Sequence, residues 1–540
     1  MQNFLNRIRA RSGREYFSGA VKINPYLFAI FIVFGLIFAS ITFVNHYMFR
    51  TYGWDLGINH NAIWDYAHFR WNDCMIMLPN KAFTNVLSDH FSLYPILVSP
   101  FYWIFGTWTM LLLQYASILF GGFGIYKLIL NISQKPSLSY IAVVHFFCFY
   151  GIYSALGFDY HDNVVAAMFV PWLIYHFKNQ QWKWTLFYFL LILISKENMA
   201  LWLVFIGIGL GLRALIEKNR ERLIVSGMMS FAALFFFILV IKVIIPALAV
   251  PAGEFLAPGG AKIQIEDGYM HNSFQALGSD FGEVFKNILL HPIDTFHLMF
   301  DNHSNDPQLD GIKQESYYAL LFAGGLGLFF APEYLIMALP ILGQKMFNDD
   351  AGRWGINYHY SIEFAPIVVI ALYTTISKIS DRNFFRIRKQ KLREIKSHVP
   401  TINTQNTVAW VSLFLCLGST IHFMDNRVSI YYKKENVKFY SKKHWNQKFD
   451  ASETHAILKR IPASAKVSAQ SPLAPHLAFR DYIYHYPFIG DAEYIALFHI
   501  DPNPYPLSWK EYENKIIAMK NSDEWEIFDQ NNAVLIFKRK

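Results

Sequence analysis

The chain has 540 residues, of which 54% are hydrophobic, 18% aromatic and only 16% charged, with a formal net charge of +8. Soluble globular domains carry about 25% charged residues, so this composition excludes a soluble enzyme and a disordered chain. Three widely spaced cysteines, Cys74, Cys148 and Cys416, exclude a disulfide scaffold and offer no metal-ligand spacing; no basic stripe on a soluble segment points to nucleic acid.

In chain order, residues 1–24 form a basic N-terminus in which Arg7, Arg9, Arg11, Arg14 and Lys22 stand against a single acid, Glu15. An apolar run from Pro25 follows, with the roughly 20-residue length that crosses a bilayer. It is too long for a signal peptide and lacks a small-residue cleavage site, so it reads as an uncleaved first span. Apolar segments then place spans near 25–45, 109–130, 138–156, 163–178, 183–196, 198–213, 223–247, 316–331, 334–346, 360–378 and 407–424, about eleven in all. Segment 91–105 is short and holds Pro95 and Pro100; counted as a span it would reverse the sides of every later basic segment, so a re-entrant or interfacial helix is expected there. Gly121, Gly122 and Gly124 fall inside a span and read as close helix packing.

Arg382 to Lys396 carries seven Lys/Arg, whereas Pro251 to Glu315 holds ten acids and three lysines. The positive-inside rule puts the first of these and the N-terminus in the cytoplasm. The first outer loop (46–108), a large outer loop (248–315) and the tail 425–540 are then extracytoplasmic. The tail differs in composition and is long enough, at about 115 residues, for a small domain. Its pattern predicts a helix near Thr454–Arg460, strands near Lys466–Ala469, Tyr482–Tyr484 and Tyr494–Phe498, a helix at Trp509–Met519, and paired strands about Asn531-Asn532, a pair suited to the positive φ of a tight hairpin turn. The expected fold class is an α-helical polytopic membrane protein with a small C-terminal extracytoplasmic α/β domain.

Ionisable residues beside spans are costly and point to function by default. Here they gather at one end of the expected bundle: Asp55 and Asp89-His90 in the first outer loop, Asp159, His161 and Asp162 in the second outer turn, Lys196-Glu197 between two short spans, and Asn348 to Asp350, Arg353 and His359 further on. Each has a plainer reading as a helix cap or an interfacial residue, although a tight turn inside a long apolar stretch has little structural need of both Lys196 and Glu197. Acids beside Lys, Arg and His at a membrane surface suit reactions on a lipid-linked phosphate: basic groups, or a carboxylate-bound divalent cation (Mg or Mn), neutralise the departing phosphate, and a carboxylate takes the proton of an incoming hydroxyl. No Walker-type loop or Gly-rich nucleotide fingerprint supports a cytoplasmic nucleotide site.

Several stretches carry a resemblance in order: Trp54-Asp55-Leu56-Gly57-Ile58 with Ala62-Ile63-Trp64, Asp89-His90, Phe158-Asp159-Tyr160-His161, Ser195-Lys196-Glu197-Asn198, Pro332-Glu333-Tyr334 with Leu339-Pro340, Tyr358-His359-Tyr360, and Val467-Ser468-Ala469-Gln470 to Pro475-His476-Leu477-Ala478. On these the chain resembles a family of bacterial predicted membrane proteins, a domain of unknown function grouped with the GT-C glycosyltransferases. The resemblance implies a GT-C-like fold in a bacterial cytoplasmic (inner) membrane. It also implies transfer of a sugar from a polyprenyl-phosphate donor to a glycan, lipid or protein acceptor, with inversion. Asp55 stands where that class has its catalytic acid, although the paired acids common there are missing, since Leu56 follows. The expected roles are Asp55 as general base, Arg353, Lys196, His161 and His359 on the donor phosphate, and Asp159, Glu197, Asp162 and Asp89 as supporting acids or metal ligands. The competing class is a transporter or flippase of lipid-linked or anionic substrates, or an inactive envelope-assembly protein. Transporters often show internal repeats and midplane charges, and neither is evident in this sequence.

Overall fold

The computed structural model describes residues 24–78, 85–251, 253–256, 260, 262–265, 273–379, 404–500 and 504–540. The basic residues of the N-terminus and Arg382 to Lys396, on which the expected sidedness rests, lie outside the described residues. The molecule is mostly helical. Helix α1 (Pro25–Tyr47) starts where Asn24 Oδ1 accepts from Tyr26 N and Leu27 N at 3.0 and 3.3 Å, an N-cap followed by a proline whose missing N–H costs nothing there. The remaining helices discussed below are α2 (Ile58–Ala67), α3 (Thr109–Ser133), α4 (Pro136–Phe147), α5 (Tyr150–Leu156), α6 (Asp162–Lys178), α7 (Trp182–Leu193), α8 (Glu197–Ile216), α9 (Arg220–Leu239), α10 (Phe281–Leu290), α11 (Pro292–Leu298), α12 (Ile312–Phe322), α13 (Pro332–Met346), α14 (Phe364–Lys378), α15 (Thr404–Asp425), α16 (Ala451–Leu458) and α17 (Trp509–Lys520).

Among the described residues five stretches are long and apolar enough to cross a membrane: Pro25–Tyr47, Tyr94–Ser133, Glu197–Ile216, Arg220–Leu248 and Thr404–Asp425. The count is six if the bent pair α4–α5 is one span. Helical structure coincides with each of the other expected segments: 163–178 and 334–346 are covered in full by α6 and α13, and the rest are shorter or broken. The 138–156 segment bends by 45° between α4 and α5, where Phe149 leaves helical geometry. The carbonyl freed there, that of Cys148, accepts from Thr420 Oγ1 of α15 at 2.8 Å, as a kink in a low-dielectric setting requires. The 316–331 segment breaks at Gly324, whose φ of +97° suits a residue without Cβ. It continues as a 3-10 turn over Gly325–Phe330 that lies against Leu372 of α14. Residues 94–108 form short helical pieces, Tyr94–Val98 and Tyr102–Phe105, linked by 3-10 turns.

The helices pack through small residues. A Cβ on Gly122 would lie 2.2 Å from the Phe147 ring, and one on Gly209 of α8 would lie 2.3 Å from the Glu333 backbone oxygen of α13. Toward the C-terminus a five-stranded sheet has the order β4-β3-β5-β7-β6, with β1 and β2 reserved for a separate hairpin, Gly253–Leu256 and Lys262–Ile265. Strand β3 (Val467–Ala469) runs parallel to β4 (Ile483–His485) and β5 (Tyr494–Phe498); β7 (Val534–Arg539) is antiparallel to β5 and to β6 (Trp525–Gln530). The strands expected from the pattern are therefore present. Neither Asn531 nor Asn532 takes the positive φ expected of it. Asn531 Oδ1 instead accepts from Ala533 N and Val534 N at 2.9 and 2.8 Å, so the side chain closes the turn and no left-handed residue is needed.

The sheet does not stand apart from the rest. One apolar cluster contains Phe49, Ile58, Ala62 and Ile76 from the loop after α1, together with Ile457, Val467, Leu477, Ile483 and Val534 from the tail. Loop and tail share a core, and that core sits beside the ionisable residues described next. Gly209→Ala is expected to lower the apparent Tm of the detergent-solubilised protein by the equivalent of about 1–3 kcal/mol, because a backbone oxygen cannot yield. Gly227→Ala, with nothing within 4 Å of the added carbon, should leave Tm unchanged or raise it; equal effects of the two would contradict this packing.

Candidate active site

The chain leaving α1 makes one π-helical turn, Gly53–Gly57, closed by Gly57 N donating to Tyr52 O at 3.1 Å. Such turns recur at functional sites because the extra residue re-aims a side chain. The turn is gripped from the tail: Gly53 N donates to Ser471 Oγ at 3.2 Å, and a Cβ on Gly53 would sit 3.1 Å from Ala474 Cβ. Asp55 projects from it with its side chain 32% exposed, and Asp55 Oδ1 lies 3.1 Å from His161 Nε2. Asp55 is thus held at one oxygen and still open to solutes.

His161 caps the start of α6. Its N–H donates to Gln114 Oε1 of α3 at 2.9 Å, Gln114 Nε2 donates to Asp159 O at 3.1 Å, and His161 Nδ1 lies 3.3 Å from that same carbonyl. Asp159 is fully buried, and its Oδ2 accepts from Tyr52 N at 2.8 Å; among the described residues Asp159 Oδ1 has no partner within hydrogen-bond geometry. Burial first, and then the nearby negative charge of Asp55, raise the Asp159 carboxyl well above the ordinary carboxylate range.

His359 stacks on His161 with ring centroids 3.5 Å apart and planes inclined by 25°. It follows Tyr358, whose φ of +57° is a left-handed conformation uncommon for a bulky residue. Burial, then the positive charges of His161, Lys196, Arg353 and His90, hold the His359 imidazole well below the usual histidine range. A neutral ring thus lies among cations. Its Nδ1 is buried without a hydrogen-bond partner.

Arg353 ends the short helix Ala351–Trp354, 3.7 Å from Asp350 and with its guanidinium 5.3 Å from the Tyr360 ring centroid. Both Arg353 and Asp55 act electrostatically on Tyr360. The turn carrying Arg353 and His359 is tied to the bundle by Lys345 of α13, whose buried ammonium donates to Arg353 O, Gly355 O and Ser361 Oγ at 2.9, 2.7 and 3.1 Å. The side chain of Lys196, at the N-cap of α8, makes no hydrogen bond or ion pair among the described residues. Glu197 beside it is engaged: Oε1 lies 2.8 Å from His90 Nδ1 and Oε2 accepts from Phe91 N at 3.1 Å.

The candidates therefore divide. Asp55, His161, His359, Asp159, Lys196 and Arg353 come together. Asp162 is turned to Tyr160, whose hydroxyl donates to it at 2.7 Å, and Asp89 acts electrostatically on Cys74. Among the described residues no group of three or more His, Cys, Asp or Glu is arranged to hold a metal ion. Sequence reasoning missed Gln114 and Lys345; a lone amide within an apolar run and a lone ammonium at the end of another were the available signals.

Because the folded state keeps the Asp159 proton to a higher pH than the unfolded chain does, its contribution to stability is full below the unfolded carboxylate value near 3.9. That contribution is lost as pH rises through the folded value. Asp159→Asn keeps an acceptor for Tyr52 N and cannot ionise. Between about pH 5 and about pH 8 the wild-type apparent Tm is expected to fall further than that of the variant; parallel profiles would count against a protonated Asp159.

Residues 45–536 match the family described as "Predicted membrane protein (DUF2079)", a span that takes in the π turn, the helices after α1 and most of the sheet. No curated protein matches the chain. Among solved structures the archaeal oligosaccharyltransferase AglB from Archaeoglobus fulgidus, in complex with an inhibitory peptide and a dolichol-phosphate, is similar at 11% identity and a TM-score of 0.38, covering 88% of this chain and 69% of that one. The family match spans most of the sequence, including both halves of the shared loop–tail core: the chain belongs to the predicted membrane protein family DUF2079.

Proposed function

We propose that the protein is an inverting glycosyltransferase that moves a sugar from a polyprenyl-phosphate donor to an extracytoplasmic acceptor hydroxyl. The observation that carries this reading is the partly exposed Asp55 carboxylate, steadied by His161, whose ring stacks on His359, a ring on which the cations Lys196 and Arg353 both act electrostatically. The acceptor oxygen attacks the anomeric carbon as its proton passes to Asp55. The bond from that carbon to the donor phosphate breaks, and polyprenyl phosphate leaves with the electron pair. Lys196 and Arg353 balance the charge gathering on it; Arg353 offers two parallel donors to two phosphate oxygens. A single displacement inverts the anomeric centre.

The site's residues take refined roles. Both ring nitrogens of His161 already face acceptors, so it positions Asp55 and is not a phosphate ligand. Glu197 holds His90 in the same way. His359, neutral and stacked on His161, keeps that ring in plane without adding a charge that would repel its neighbours. No step is routed through a metal ion.

The test is mass spectrometry of envelope glycans and lipid-linked sugars from a deletion strain, the strain complemented with wild type, and the strain complemented with Asp55→Asn at matched protein level. Loss of one sugar with accumulation of its polyprenyl-phosphate form, in both the deletion and Asp55→Asn, is the expected result. A wild-type profile in Asp55→Asn removes Asp55 as the base and puts the transport reading ahead. Under the same topology, reporter fusions after residues 220, 315 and 395 should read inside, outside and inside; a reversed pattern moves Asp55 to the cytoplasm and ends the proposal.

A further inference from the structure

Between α9 and α12 the chain carries two helices with little protein beneath them. In α10, apolar residues recur at 281, 284, 285, 288 and 289, the i, i+3, i+4, i+7, i+8 spacing of one helix face, while Glu283, Lys286 and Asn287 fall on the other. Asp280 caps the helix through Oδ1, which accepts from Gly282 N and Glu283 N at 2.7 and 2.9 Å. Proline starts α11. None of the described side chains of α10 or α11 is buried: Leu289 is 69% exposed, Leu290 63%, Ile293 72% and Phe296 60%. A helix of ten residues has little stability of its own in water, so an amphipathic face left uncovered needs something to cover it.

What covers it is indicated by where the pair is attached. Phe300, just past α11, stacks on Tyr317 of α12 at 5.0 Å between centroids, and Tyr317 Oη donates to Met299 O at 3.0 Å. Beyond that joint the exposed face of α12 carries Tyr318, Leu321 and Phe322, and the turn after it carries Phe329 and Phe330. The apolar surface of the two helices thus continues into an outward-facing apolar face of the helical bundle. The same loop is fastened to the turn that bears Arg353: His303 Nε2 lies 3.0 Å from Asn348 O, and Gln275 N donates to Asp349 Oδ2 at 2.9 Å.

We propose that α10 and α11 are a membrane-surface element, lying along the bilayer at the Arg353 end of the bundle with Ile288, Leu289, Ile293 and Phe296 among the acyl chains and Glu283, Lys286 and Asp294 at headgroup level. This is the behaviour of a short helix with one apolar and one charged face at a lipid interface. The loop then fixes the Asn348–Arg353 turn at the depth of the lipid headgroups, whatever reaction that turn serves.

The test uses the full chain in nanodiscs of phosphatidylethanolamine and phosphatidylglycerol. Single-cysteine variants Leu289→Cys, Phe296→Cys and Lys286→Cys are spin-labelled, with Leu36→Cys on α1 as the lipid-facing reference and Glu513→Cys as the water-facing one. The native cysteines are buried, which keeps labelling selective. Collision rates with oxygen, which partitions into lipid, and with a water-soluble nickel chelate are then compared. The expected result is an oxygen-to-nickel ratio at Leu289 and Phe296 severalfold above that at Lys286 and close to that at Leu36. A ratio at Leu289 and Phe296 equal to that at Glu513 would put the helices in water and overturn the proposal. Shielding of both positions from both reagents would also overturn it, since a second copy or another protein would then be the cover.

Discussion

The end of the bundle that carries Asp55 depends on how the chain is caught as it leaves its first helix. A single buried carboxylate, Asp159, accepts the Tyr52 N–H, and Gln114 fixes the backbone on either side of that carboxylate. A buried acid that accepts a backbone donor while one of its own oxygens has no partner within hydrogen-bond geometry is an expensive device, and keeping its proton is the least costly way to maintain it beside Asp55. From that clasp follow the π turn, the direction of Asp55 and the reach of His161 toward it. The second catch is Lys345, whose three donors meet three oxygens of the turn bearing Arg353 and His359. Two buried polar anchors, one acidic and one basic, hold the turns bearing Asp55, His161 and His359 at one end of the bundle.

Much of this was legible in the sequence, for reasons that differ from element to element. The apolar runs stand out because lipid allows little else, and the tail stands out because its composition turns polar and charged. Asp55, His161, Lys196, Arg353 and His359 were selectable because charge at the end of an apolar run is rare. Their arrangement was not selectable. Nothing in the spacing of residues 55, 161 and 359 announces that two imidazoles stack and a carboxylate meets one of them. The bend at Phe149 and the break at Gly324 were hidden for a related reason: each is stabilised by a partner from another helix, Thr420 in one case and Leu372 in the other. Asn531 misled because asparagine closes turns in two ways, by its backbone or by its side chain, and composition does not distinguish them.

The tail was read as an appendage with its own fold, and its strands are where the pattern puts them. Its relation to the first loop is a matter of packing. The face of the sheet and of the helices before it meets Phe49, Ile58 and Ile76. Polar contacts repeat the message: His60 Nδ1 lies 2.8 Å from Pro475 O, and Trp64 Nε1 donates to Asp481 Oδ1 at 3.1 Å. The loop after α1 has a bundle on one side and a sheet on the other.

That sandwich sets an order of events during biosynthesis. The Pro475 carbonyl that receives His60 is 415 positions further along the chain, and Ser471, which receives the Gly53 N–H, is 418 positions from it. At ribosomal speeds of about 5–20 residues per second, the loop waits roughly 20–80 s for its other wall. During that time every spanning helix between them is delivered to the bilayer, while Phe49, Ile58 and Ile76 stand without the surface that will bury them. Contacts this distant in sequence are the slowest to form. The nascent protein therefore passes through a long interval in which it is anchored and nearly complete in helices, yet has an open seam where its carboxylate turn should be closed.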